Sequence, residues 1–248
     1  MISRARAILA TLLISTLPAY ADTPSTTASP NWPDGFTARV EALALLQTLN
    51  AQLLSNDSAT GTLERWCAVH HLTAQPRIVA ERVQGVEKPP TEEQRRDLGV
   101  GMTVPVQYRR VRLLCGTTVL SEADNWYLPG RLTPKMNELL NTTNTPFGRA
   151  VQELRFQRHT ISAKLLWLPL PESWEMSADT PNEDAESLPV PAQVLEHRAV
   201  LTLPDGTPFS EVVETYTRNV LAFPCPCLPV VRVVGRRTYP SDRSVMAR

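Results

Sequence analysis

From Val40 onward the apolar positions fall three and four residues apart, at Leu43, Leu46 and Leu49 with Ala42 beside them, and Thr37 stands where a cap belongs. That spacing predicts a helix over 37–54. A second helix is expected over 62–72, with Leu63, Trp66 and Cys67 on its apolar face. Beyond Pro76 the period changes from helical to alternating. Ile78, Ala80 and Val83 read as a strand, and the polar stretch 87–98 reads as a loop with one helical turn. Strands are then expected over 104–115 and 118–128, joined tightly through Gly116 and Thr117. Thr133 followed by Pro134 is a helix start, with the threonine as cap and the proline in the first turn, and the helix should reach Leu140. Residues 148–153 lead into a strand over 154–166, and a last pair runs from Val194 to Leu203 and, after the turn Pro204-Asp205-Gly206, on to Leu221. Strands outnumber helices and hairpins link them. The expected class is therefore α+β, an antiparallel sheet with helices packed on one face.

Two segments break this pattern. Residues 22–34 are rich in Thr, Ser and Pro with no apolar period, which predicts a flexible leader with order beginning near Gly35. Residues 168–193 hold five prolines and the acidic cluster Glu183, Asp184 and Glu186, which predicts an exposed insertion that Trp167 and Trp174 could anchor. Ahead of the leader, Arg4 and Arg6 precede an apolar run from Ala7 to Leu17, and Ala19-Tyr20-Ala21 supplies small residues. This reads as a signal peptide over 1–21, too short to span a bilayer, with a periplasmic or secreted mature chain that keeps no stable membrane anchor. The last stretch, 230–248, is a basic tail beyond a domain over 35–229.

Charge narrows the partners. With 25 basic and 25 acidic residues the chain lacks the cationic footprint that phosphate backbones demand, so no nucleic-acid partner is expected. Nucleophile-elbow, zincin and phosphate-loop motifs are missing from the sequence, which points to chemistry without a metal or other cofactor. Export makes the four cysteines, Cys67, Cys115, Cys225 and Cys227, candidates for two disulfides. Three connectivities exist, and strain between near neighbours favours bonds from Cys225 or Cys227 back to Cys67 or Cys115. A metal site using Cys225, Cys227, His70 and His71 is the alternative, weakened by the narrow cysteine spacing and the divergent directions of adjacent histidines. His70 and His71 themselves read as surface or satisfied core residues.

The candidate chemistry lies in two charged residues among strand formers. Arg110 sits in YRRVRLLC among Val106, Tyr108, Val111 and Leu113, and Glu214 sits in SEVVETY among Val212, Val213 and Tyr216. Ionised residues in a sheet core need partners: the two could face one pocket, or simply pair with each other. Their setting resembles the chorismate pyruvate-lyase family, whose fold also occurs in the ligand-binding domains of bacterial transcription regulators. The resemblance is carried by Arg110 five residues before Cys115, Ala123 and Leu128-Pro129, the turn Thr145-Pro146-Phe147-Gly148-Arg149, and Gly206 and Pro208 leading to Glu214. It implies a pocket for a small aromatic carboxylate or chorismate. In it, Arg110 would hold the ring carboxylate, and Glu214 would stand near the ether and the product hydroxyl, its pKa raised by burial. Phe147, Gly148, Arg149 and Asn125 would line the pocket. It also implies conversion of chorismate to 4-hydroxybenzoate and pyruvate or, with turnover lost, binding alone. Two departures stand out. Asp124-Asn125 replaces a family Gly-Arg, so a second cation would have to come from Arg131 or Arg149, and the flap reads Asp57-Ser58-Ala59-Thr60 with Ala59 where the family has methionine. The sequence leaves the oligomeric state open.

Overall fold

The computed structural model describes residues 32–176 and 187–225. The expected signal peptide, the basic tail, Cys227 and the acidic cluster of the insertion lie outside the described residues. Within them the chain forms α1 (Phe36–Leu54), α2 (Ala59–Val69), β1 (Ile78–Arg82), α3 (Glu92–Asp97), β2 (Gln107–Cys115) and β3 (Thr118–Tyr127). There follow α4 (Pro134–Thr142), α5 (Phe147–Ala150), β4 (Gln157–Leu165), β5 (Gln193–Thr202) and β6 (Pro208–Thr217). The architecture is α+β with a six-stranded antiparallel sheet in the order β1-β2-β3-β6-β5-β4. Each half of the sheet is a three-strand meander, and the halves meet where β3 pairs with β6. The two central strands thus come from distant parts of the chain.

Helices α1, α2, α4 and α5 cover one face. In α1 the buried positions Ala38, Ala42, Leu46, Leu49 and Leu53 keep the helical period and meet Val111, Leu113, Ala123, Ala199 and Val212 of the sheet in the main core. Ser58 caps α2 by accepting from the Gly61 N–H at 3.2 Å, so that helix starts three residues before the expected 62. Thr133 caps α4 as its sequence predicts, accepting from Met136 N–H with Pro134 in the first turn. Gly116 turns the β2–β3 hairpin with φ of 60°, a left-handed conformation that costs glycine least.

Several expectations change. The leader is not loose to its end, because Trp32 is fully buried and donates its indole N–H to the Phe223 carbonyl at 2.9 Å. Helix α1 begins at Phe36 with Gly35 as its cap, not at Thr37. The stretch 87–98 contains α3, closed by a capping box between Thr91 and Gln94, and this short helix lies against the other face beside Trp126 and Leu98. Residues 148–153 form α5 and a 3-10 turn. The described flanks of the insertion are packed: Leu170, Leu188 and Val190 are buried, and Trp174 meets Phe36 at 5.9 Å. The cysteines pair as Cys67–Cys115, across 6.3 Å between Cα atoms, so the expected bond from either of these to Cys225 or Cys227 does not form. Both thiols sit on inward faces of adjacent elements, which sequence separation could not reveal. Cys225 is itself disulfide-bonded. His70 stacks between Trp66 and Phe223, at 4.0 and 4.3 Å, as a satisfied structural residue.

Candidate functional site

Strand alternation decides which charges reach the covered face. In β2 the buried positions are Arg109, Val111, Leu113 and Cys115, so Tyr108, Arg110 and Arg112 point the other way. The pairing β2–β3–β6 then places Ala123 and Asn125, and Val212 and Glu214, on the same inner face. Above this patch stand the segment Asp57-Ser58 and the first turn of α2, the α5 residues Phe147 and Gly148, and Phe156. At the side stand Arg158 of β4 and Leu201 of β5. Together they line a cavity that is partly open to solvent, with about 40 Å³ of room for the centres of water-sized molecules. A Cβ at Gly148 would lie 3.4 Å from Ser58 Oγ and 3.7 Å from the Phe156 ring, ordinary contact distances, so this stretch of the cavity wall packs closely against the start of α2.

The two ends of the cavity differ in charge. At one end Arg109, only 5% exposed, donates through Nη2 to the Thr145 carbonyl at 3.0 Å, while its buried Nε has no partner. No carboxylate pairs with it among the described residues. Burial, and then the neighbouring Arg82 cation, push its pKa down to about 10. A buried guanidinium without a carboxylate partner has the charge and the donors to hold a planar anion. Beside it, Asn125 Oδ1 accepts from Ser210 Oγ at 2.8 Å.

At the other end Arg158 and Glu214 form an ion pair of 2.6 Å with both side chains buried. Burial opposes the charge on Arg158, but Glu214, Tyr216 and Asp57 outweigh it and raise its pKa. The Tyr216 hydroxyl donates to Glu214 Oε2 at 3.2 Å, and burial and then Glu214 raise its pKa far above that of an ordinary phenol. Behind them His197 is fully buried, bonded through Nε2 to Asn50 Oδ1 at 2.8 Å and set edge-on to Tyr216. Burial lowers the His197 pKa to about 4, although Glu214 opposes the shift. Arg109 and Glu214 lie two strands and two residues apart in the register. At about 4.8 Å between strands and about 3.4 Å per residue, their Cα atoms are about 12 Å apart, a span that suits one aromatic ring with a polar group at each end.

Of the expected site residues, Glu214, Phe147, Gly148 and Asn125 line this cavity, as do Asp57, Ser58, Ala59 and Thr60 of the flap. Arg110 does not. Its guanidinium meets Glu122 at 3.1 Å and Asp124 at 3.7 Å on the opposite face, because it is one residue out of step with the inward set. Arg149 lies in an outer groove and pairs with Glu64, and Arg131 donates to the carbonyls of Leu98 and Pro208. Neither reaches the cavity wall; the second arginine there is Arg158, which is already paired with Glu214. Arg109 was open to inference, since counting back by twos from Cys115 through Leu113 and Val111 reaches it. Arg158 carries no such signal, because Gln157 and His159 beside it are polar as well. Among the described residues no cluster of three His, Cys, Asp or Glu side chains suits a metal ion.

The chain is 59% identical over 199 residues to a protein of Sinorhizobium fredii (strain NBRC 101917 / NGR234) called uncharacterized protein y4mC, covering 79% of this chain and 84% of that one. No family model matches. Among solved structures, PhnF from Mycobacterium smegmatis is similar at 14% identity and a TM-score of 0.42, covering 77% of this chain and 91% of that one. The possible transcriptional regulator YydK from Bacillus subtilis is similar at 16% identity and a TM-score of 0.37, covering 59% of this chain and 60% of the other. Overlaps this partial identify no ligand.

Proposed function

We propose, for a chain that belongs to the same family as the Sinorhizobium fredii protein y4mC, that the cavity binds a small aromatic carboxylate whose anion Arg109 holds. The observation that carries this reading is the unpaired, buried Arg109 guanidinium on the wall of an otherwise largely apolar cavity. A carboxylate there would gain charge-assisted bonds in a low-dielectric setting and relieve the burden of an isolated charge. Val111, Leu113, Val212, Phe147 and Phe156 supply surface for a ring. The apparent export signal and the Cys67–Cys115 bond support a periplasmic or secreted setting, where an external ligand is met directly.

The second reading is turnover of chorismate to 4-hydroxybenzoate and pyruvate. It draws on the resemblance to chorismate pyruvate-lyase and on Glu214 sharing the cavity with an arginine. Binding is favoured over turnover because the Glu214 carboxylate is already engaged by Arg158 and Tyr216, which leaves it poorly placed to take or give a proton. Calorimetry with 4-hydroxybenzoate tests the first reading: wild type and Arg110→Ala bind, and Arg109→Ala does not. Absence of binding to wild type at millimolar ligand, on the order of −4 kcal/mol, removes it. Incubation with chorismate and assay of both products tests the second.

A further inference from the structure

Strand β1 stops before its neighbour does. Val83 donates to the Arg110 carbonyl at 3.0 Å, and Gly85, with φ of 74°, then turns the chain away. Strand β2 extends on to Gln107, so the alternation that aims the Arg110 carbonyl at β1 aims the Tyr108 N–H and C=O the same way. No backbone group meets them among the described residues. The result is a notch in the sheet edge, with Gln107 and Tyr108 as its floor and Lys88-Pro89-Pro90 as one wall. Asn141 of α4, on the covered face, forms the other. The notch is open to solvent and has about 580 Å³ of room for the centres of water-sized molecules. Its outer wall is fixed: Trp126 donates its indole N–H to the Lys88 carbonyl at 2.8 Å, and the Lys88 ammonium lies 5.0 Å from the Trp126 ring centre and 3.1 Å from Asp124.

The notch is also cationic. Arg95 donates to the Gly101 and Val104 carbonyls at 2.8 and 3.1 Å, and Arg82 donates to the Asn141 carbonyl, so no carboxylate meets either charge among the described residues. Lys88 is offset by Asp124, and Glu87 is the one further acid on the lining. We infer that this notch takes an extended acidic peptide segment, which continues the line of β1 by pairing with Tyr108 and sets its carboxylates toward Arg95 and Arg82. Main-chain bonds to an open edge give such a segment its affinity, and the cations select its charge. Val106, Pro89 and Pro90 offer apolar contact to its alternate side chains. Because the walls stand ready, little ordering of the protein opposes entry.

The test titrates the full mature chain, isotope-labelled for NMR, with a blocked hexapeptide that alternates valine and glutamate, and with its valine–lysine counterpart. The glutamate peptide is expected to bind at about 1 mM or below, to shift the amides of Gln107 and Tyr108, and to slow hydrogen exchange of the Tyr108 N–H. The lysine peptide should bind at least about tenfold more weakly. Tyr108→Pro removes the outward N–H while the β2–β3 ladder keeps its bonds, and should weaken the glutamate peptide about tenfold. Arg95→Gln keeps an amide donor for the loop carbonyls but drops the charge, and should weaken it about threefold; this variant decides the point if the proline protein does not fold. Equal binding of the two peptides overturns the inference, as does binding that leaves the Gln107 and Tyr108 amides unmoved. So does failure of the glutamate peptide to bind wild type at about 5 mM.

Discussion

Replacing Arg109 with methionine separates what this side chain does for a ligand from what it does to the fold. Burial and the Arg82 cation lower its pKa to about 10. A tenfold change in ionisation is worth about 1.4 kcal/mol, so holding the charge in the empty cavity costs the fold about 3 kcal/mol. The guanidinium is protonated in folded and unfolded chains alike at pH 7, so the whole cost is present at neutral pH and is relieved only as pH rises past about 10. Methionine fills comparable volume without charge but leaves the Thr145 carbonyl without its donor, which restores about 1–2 kcal/mol of destabilisation. The ligand-free variant should therefore be more stable by about 1–2 kcal/mol, a rise in Tm of roughly 2–8 °C for a chain of this length. Loss of the carboxylate anchor should meanwhile weaken 4-hydroxybenzoate by about 2–5 kcal/mol. Scanning calorimetry with and without saturating ligand reads both effects: wild type melts lower when empty and rises with ligand, and the variant melts higher and does not respond. An Arg109→Met protein that melts below wild type and still shifts with ligand would mean that the guanidinium is structural and that the anion binds elsewhere.

Arg110→Ala should leave ligand affinity within about twofold and stability within about 1 kcal/mol, because its ion pairs lie half exposed on the opposite face; calorimetry and urea melts check both. The double change Cys67→Ala and Cys115→Ala opens a loop of 48 residues and should cost about 4 kcal/mol in denaturant unfolding, and thiol titration of unfolded wild type should find neither sulfur free. His197 stays neutral in the fold down to pH of about 4, while the unfolded chain protonates it near pH 6.5. Its contribution is thus a loss of stability as pH falls from about 6.5 to about 4, reaching about 3 kcal/mol. His197→Gln should flatten that part of a stability profile measured across this range, and an unchanged slope would show that the acid sensitivity arises elsewhere.

Local patterns along the chain determined most of the scaffold. Period marked α1 and α2, Thr133 with Pro134 marked α4, alternation marked all six strands, with β1, β3 and β5 placed to within one residue at each end, and Gly116 marked the β2–β3 hairpin. These follow from forces acting within a few residues: side-chain direction, the orphan N–H groups of a first helical turn, and the freedom of glycine in tight turns. Glu214, Phe147, Gly148, Asn125 and the flap, far apart in the chain, were grouped by the family resemblance and not by any local pattern, and they do line one cavity. What failed locally was parity. Arg109 and Arg110 are neighbours of one residue type, and a shift of one position moves a strand residue from the core face to the other; only the inward set ending at Cys115 separates them. The rest was decided by the tertiary structure. Arg158 meets Glu214 because β5, lying between β4 and β6, pairs with both strands; Cys67 meets Cys115 because α2 lies across β2; and the cavity exists because α5 and the start of α2 close over the joined meanders. Each of these contacts joins segments whose own sequences are satisfied without it. Long-range packing sets them, and the buried charge it leaves on Arg109 becomes visible only once the sheet has closed.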